Sequence, residues 1–186
     1  MAKQIVEMEI EKVIMELPDT KSIRLKWPDG YNPDFKTGQF ITLYWPDTPS
    51  YKRAYSLSSC ALDRGFFETT VKRDGKMGTR IVDWAKPGDR MFVIPPTGKF
   101  LPVYEPNQHL VCLAGGSGVT PFRAFVREAT KRKLETNCQL SPRRAVCTVE
   151  GGTECGEHLA KLLSGFLIKQ VGDEGFRVNR LTRNGK

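Results

Sequence analysis

The chain has 186 residues, 39% hydrophobic and 27% charged, with a formal net charge of +8. That length admits one large domain or two small ones, either able to bury a core, and the composition is ordinary for a soluble globular protein. The charge balance is +3 over residues 1–130 and +5 over 131–186, with no dense basic run beyond Lys131-Arg132-Lys133. This favours an acidic protein partner or a nucleotide phosphate over a nucleic acid.

Taken in chain order, the first hundred residues read as strands. Val6, Met8 and Ile10 alternate with Glu7, Glu9 and Glu11, the pattern of one buried face. Ile23, Leu25 and Trp27 alternate again, and Gly38 to Trp45 is rich in aromatic and branched residues. Phe66–Lys72 and Met91–Ile94 read as two further strands, and Met77–Ala85 as one short helix. Turn signals at Pro28-Asp29-Gly30, Asp74-Gly75 and Pro87-Gly88-Asp89 separate them. Many short strands with Gly/Pro punctuation predict a β-barrel or sandwich.

After Pro106 the pattern changes. Leu110-Val111-Cys112-Leu113-Ala114 is a continuous apolar run, as expected of a parallel strand covered on both faces. Glycines follow, then a helix with Thr120 as N-cap, Pro121 at its first position, and Phe122, Phe125, Val126 and Ala129 at helical spacing. Lys131–Lys133 falls where that helix should end, complementing its dipole. The domain boundary is expected near residues 103–108. From Thr136 to about Gly156 no clear period is visible. Leu159, Leu162, Leu163, Phe166 and Leu167 resume helical spacing, and Phe176–Leu181 reads as another strand.

The five cysteines are scattered, with no CxxC pair and no iron–sulfur spacing. No disulfide framework or metal site is expected. No apolar run approaches a membrane span, and Met1 to Glu7 holds no apolar signal region. A cytoplasmic location is the default expectation.

Three stretches carry chemistry. Arg53-Ala54-Tyr55-Ser56 can offer a cation, a flat ring and a hydroxyl to different parts of one ligand such as a flavin. Alone, it reads equally as an edge strand with polar residues facing water. Gly75-Lys76-Met77-Gly78-Thr79-Arg80 sits at a loop-to-helix junction, where backbone N–H groups can approach an anion; alone, a capped surface turn is the simpler reading. Gly115-Gly116-Ser117-Gly118-Val119-Thr120-Pro121 lies between a buried strand and a helix N-terminus, where α/β sheets bind phosphates. It is neither GxGxxG nor a Walker A sequence, and close packing alone could require its glycines.

In this order and spacing, and with Pro95-Pro96-Thr97-Gly98-Lys99-Phe100 between them, these segments resemble the ferredoxin–NADP⁺ reductase superfamily over residues 5–134 or so. The resemblance implies an antiparallel Greek-key β-barrel holding flavin over residues 1–104. A Rossmann-like, parallel-sheet NAD(P)-binding α/β domain would follow over 108–186, incomplete and atypical from about residue 136. It implies FAD, with FMN possible, and NAD(P)H as substrate. Arg53 would meet the flavin phosphate, Tyr55 would stack on the ring and Ser56 would lie near N5, these last two being the catalytic candidates. Val71 and Lys72 would line the cofactor with backbone and stem, and Gly78 and Thr79 would cap the diphosphate. Gly115, Gly116, Ser117, Gly118, Thr120 and Pro121 would approach the nicotinamide nucleotide, Thr120 also nearing the flavin.

Implied too is a reductase component passing electrons from NAD(P)H through FAD to a separate carrier, such as a ferredoxin or an oxygenase component. The superfamily's later strands and its Cys-Gly motif are not found before Lys186. A frameshifted or truncated product is therefore an expectation, and a flavin-binding or scaffold module without hydride transfer is the alternative function.

Overall fold

The alternation from Val6 onward fixes the first strand, β1 (Val6–Leu17), with Met8 and Ile10 buried and Glu7, Glu9 and Glu11 exposed. It returns as an antiparallel hairpin into β2 (Thr20–Lys26), which buries Ile23 and Leu25. The structure, a computed structural model, describes residues 4–104, 110–114, 116–141 and 144–150. The elements that follow are β3 (Phe40–Tyr44), β4 (Arg53–Ser56), β5 (Phe66–Lys72), helix α1 (Gly75–Trp84) and β6 (Arg90–Thr97). All pair antiparallel in one six-stranded sheet of order β4-β3-β6-β1-β2-β5. Pro95 and Pro96 are tolerated in β6 because β1 pairs only with its first half, and the register against β3 is irregular beside them.

The sheet curls until its two edge strands meet. They touch at one bridge, Leu57 to Thr69, supported by Ser58 N–H donating to Glu68 O at 2.8 Å. Beyond that bridge β4 and β5 are unpaired on the sides that face each other. The result is a barrel with an open seam.

Its core contains Ile10, Ile23, Leu25, Ile41, Leu43 and Phe67, all fully buried. Phe67 meets Trp27 and Phe35 edge-on, with ring centroids 5.2 and 5.3 Å apart. Such pairs add about 0.5–1.5 kcal/mol each beyond area burial. Gly38 has φ +93°, and a Cβ there would lie 2.1 Å from Phe100 O. Only glycine lets the entry to β3 pass this close to the end of the barrel segment.

The second part holds β7 (Leu110–Ala114), a 3₁₀ turn (Gly116–Val119), helix α2 (Thr120–Lys131), β8 (Glu135–Ser141) and β9 (Arg144–Glu150). The strand, glycine turn and helix follow the expected order. Two details differ from expectation. Thr120 is not the N-cap: the 3₁₀ turn runs straight into α2, Val119 holds the cap position, and Thr120 Oγ1 donates to Ser117 O at 2.8 Å. The pairing of Leu110–Ala114 is also antiparallel, with β9, in a sheet of order β7-β9-β8.

The reason lies in the connection. Ser141 pairs with Arg144, so β8 and β9 form a hairpin, and so short a link cannot join parallel neighbours. Because β7 and β8 both oppose β9, they run in the same direction, as in a strand–helix–strand crossover, with β9 between them. The patternless stretch from Thr136 therefore carries a hairpin as far as Glu150. The helix and strand expected within 159–181 lie outside the described residues, as do positions 105–108 of the expected domain boundary.

Candidate functional site

The open seam is the candidate site. One wall is β4, paired with β3 alone (Phe40 opposite Ser56, Leu43 opposite Arg53). The other is the end of β5, paired with β2 alone (Lys21 opposite Val71, Thr20 opposite Lys72). The Leu57–Thr69 bridge closes one end, and Thr69 Oγ1 tightens it by donating to Ser56 O at 2.8 Å. At the other end the chain leaves β5 through Arg73 and Asp74 into α1, whose N-terminus therefore lies near the mouth of the seam. An edge strand presents free backbone N–H and C=O groups; two facing edges present two rows, suited to a flat ligand with hydrogen-bonding margins.

Arg53 is exposed at the mouth, its Nη1 donating to Lys52 O at 3.0 Å. Tyr55 is half-buried against the core. Burial raises its hydroxyl pKa to about 12; the Arg53 charge opposes that rise and the Asp74 charge adds to it. Tyr55 thus stays neutral near neutrality, between the strand cation and the start of α1. Ser56 is half-buried beside the bridge. The Val71 side chain is in the core, so only its backbone can line the seam, whereas Lys72 extends outward to Asp19 at 3.5 Å.

At α1 the first turn holds no acidic residue, and Asp74, at the N-cap position, makes no capping hydrogen bond. Its N–H groups and dipole are left to an anion. Gly78 is buried, and a Cβ there would lie 2.5 Å from Lys72 O. Glycine is what lets the helix sit against the end of β5. Gly75, Lys76, Thr79, Arg80 and Trp84 line an open groove of about 770 Å³. Arg80 is fixed there by both Asp47 oxygens, at 2.8 and 2.9 Å, and lies over the Trp45 ring at 4.5 Å.

The second cluster of candidates is more sharply divided. Ser117 and Gly118 are exposed on the 3₁₀ turn, which touches β5, while Thr120 and Pro121 are buried. Gly116 begins that turn, and Gly115 lies outside the described residues.

Sequence reasoning missed the charged cluster beneath this turn. The Glu68 carboxylate, 1% exposed, receives Arg24 Nη2 at 2.9 Å on one oxygen. Its other oxygen receives Arg123 Nη1 at 2.7 Å, Arg127 Nη1 at 3.1 Å and Ser58 Oγ at 3.2 Å. Asp63 takes Arg127 at 3.0 Å and Lys131 at 2.8 Å. Burial pushes both carboxyls up, but the surrounding cations outweigh it and hold each below its ordinary value. The available signal was an i, i+4 pair of arginines among the apolar residues of α2, together with a lone glutamate inside a strand.

A family model described as the oxidoreductase FAD-binding domain matches residues 7–101. The chain belongs to this family. The FAD-binding family match spans the barrel from β1 to just past β6. The ferredoxin reductase component of 3-ketosteroid-9-alpha-monooxygenase from Mycolicibacterium smegmatis is 33% identical over 142 residues, covering 69% of this chain and 39% of that protein. Reductase component 1 of terephthalate 1,2-dioxygenase from Comamonas sp is 28% identical over 125 residues, covering 66% and 36%. Among solved structures, the ferredoxin reductase in carbazole 1,9a-dioxygenase superposes with a TM-score of 0.62 at 26% identity, covering 69% and 40%. The chain thus spans about two fifths of the length of the first curated relatives it matches. The relationship supports the superfamily resemblance and FAD as cofactor, and the site fits FAD: an uncapped helix N-terminus beside a glycine that admits no Cβ, a free strand cation, and a half-buried ring.

Proposed function

We propose that this chain is the flavin-holding part of a reductase component that takes electrons from NAD(P)H and delivers them to a separate carrier, a ferredoxin or an oxygenase component, in the cytoplasm. The single observation that carries the reading is the seam between β4 and β5, with the α1 N-terminus at its mouth, in a chain of the FAD-binding family. The reductase names of its relatives supply the electron-transfer role. Bound there, FAD would supply the hydride-accepting and electron-releasing chemistry.

The chain's own residues bind and orient. Arg53 and the α1 N–H groups, with Gly78 and Thr79, hold the diphosphate. Tyr55 covers a face of the ring, Ser56 offers its hydroxyl to the N5 margin, and the backbone of Val71 and Lys72 meets the opposite edge. Gly115, Gly116, Ser117 and Gly118 admit the nucleotide, with Thr120 and Pro121 fixing the turn from behind. The two domains divide at 1–104 and 108–186. No acid–base pair is required. Purified protein should be yellow and should bleach on addition of NADH or NADPH; protein that stays colourless after incubation with FAD would overturn the reading.

One observation favours a second reading, a flavin-binding module without hydride transfer. The antiparallel neighbour of β7 stands where a parallel strand would complete a nucleotide-binding sheet. Yellow protein that neither nucleotide bleaches selects this module.

A further inference from the structure

The Glu68 cluster lies outside every role assigned so far, yet it joins the two halves of the site. Arg123 is 8% exposed and sits on the first turn of α2, directly after the 3₁₀ turn. Its Nη1 reaches Glu68 Oε1 at 2.7 Å and Ser58 Oγ at 3.3 Å. Ser58 lies two residues beyond Ser56 on the same stretch of chain, and its backbone N–H is bonded to Glu68 O. Thr69, next to Glu68, bonds the Ser56 carbonyl. One guanidinium thus spans from the helix that carries the glycine turn to the strand pair that forms the closed end of the seam.

Burying this many charges is a poor way to gain stability, because desolvation offsets much of the attraction. Apolar side chains would hold α2 as firmly but would let it slide. A guanidinium whose Nη1 is shared between Glu68 Oε1 and Ser58 Oγ fixes distance and direction. Arg127, one turn later, shares Glu68 but also has Asp63. It can retain the helix without fixing its first turn.

We propose that Arg123 is a positioning residue that sets the height of the Gly116–Val119 turn above the Ser56 end of the seam, and so the approach of nicotinamide to flavin. The inference rests on the flavin and nucleotide reading above for its consequence, but its structural half stands alone. Arg123→Met leaves Glu68 paired with Arg24 and Arg127, so no carboxylate is stranded.

The test is amide hydrogen exchange across the 3₁₀ turn and α2 in the full chain, with and without FAD, for wild type, Arg123→Met and Arg127→Met. Arg123→Met should speed exchange at Ser117 to Val119 selectively, and Arg127→Met should act only on the later turns of α2. In FAD-loaded protein, Arg123→Met should slow bleaching by NADH or NADPH on the order of a hundredfold, with nucleotide affinity unchanged. Arg123→Lys keeps the charge but loses the planar guanidinium. It should restore part of the exchange protection, and it serves if the Met variant does not fold. Equal effects of the Arg123 and Arg127 variants on the turn, or none from either, would overturn the proposal. Colourless wild-type protein would sink the flavin reading, while the exchange comparison would still decide the role of Arg123.

Discussion

At Arg53 the physical demands of ligand and fold separate. The side chain is exposed and bonds only its neighbour's carbonyl among the described contacts, so the fold does not depend on it. Hydrogen bonds to charged groups contribute about 1.5–3 kcal/mol. Arg53→Ala should therefore weaken FAD binding roughly 10- to 100-fold, read by flavin fluorescence quenching, with the melting temperature of the ligand-free protein unmoved. Phe67 is the opposite case: fully buried among Trp27, Tyr31 and Phe35, it should cost about 3–5 kcal/mol in urea unfolding when cut to alanine. Gly78→Ala belongs to both cases. Its Cβ would strike Lys72 O, so α1 must shift from the end of β5. We expect a loss of about 1–3 kcal/mol together with weaker FAD binding. Arg53–Ser56 was legible in the sequence as a strand, and it is one, because its short alternation stands alone between turns. Glu68 was not, because the arginines it meets on α2 are more than fifty residues away along the chain, and strand alternation says nothing about a helix that later covers it.

At the scale of elements, α2 is attached to the barrel through carboxylates whose protonation can be controlled. Glu68 faces Arg24 from β2 and Arg123 and Arg127 from α2, and Asp63 faces Arg127 and Lys131. Both carboxyls titrate below their ordinary values of 4.5 and 3.8 when folded. A carboxyl with a lowered folded pKa contributes stability that is complete above its ordinary value and is lost as pH falls through the folded one. Docking of α2 should therefore be insensitive to pH near neutrality and loosen progressively below about 4.5, seen as faster hydrogen exchange in α2 before the barrel unfolds. Strand β5 shows why its role could be read only in part from sequence. Phe66–Lys72 was expected as a strand, and it is one, but five consecutive residues from Phe67 to Val71 are buried. One face meets the barrel core, and Glu68 on the other meets α2. The hairpin of β8 and β9 was illegible for a different reason: its residues show no alternation that marks a buried face.

Across the whole molecule the proposed binding site is a missing pairing rather than a cavity. The strands that should close the barrel meet at Leu57 and Thr69 and then diverge. A ligand lying between them would bond to both edges, so that binding and closure would be one event. FAD at a hundredfold excess over its dissociation constant should raise unfolding free energy by about 2.7 kcal/mol, and exchange should slow along both Arg53–Ser56 and Thr69–Lys72. FMN, which lacks the adenosine and one phosphate, should protect the strands but gain less from the α1 groove. No helix among the described residues is long and apolar enough to cross a membrane.

The seam has a consequence before any chemistry begins. A newly made chain without flavin exposes two unpaired strand edges, a template on which another copy can add. Vitamin supply then governs how much of the protein survives its own synthesis: cells starved of riboflavin should accumulate this chain in insoluble deposits, and cells fed riboflavin should keep it dispersed.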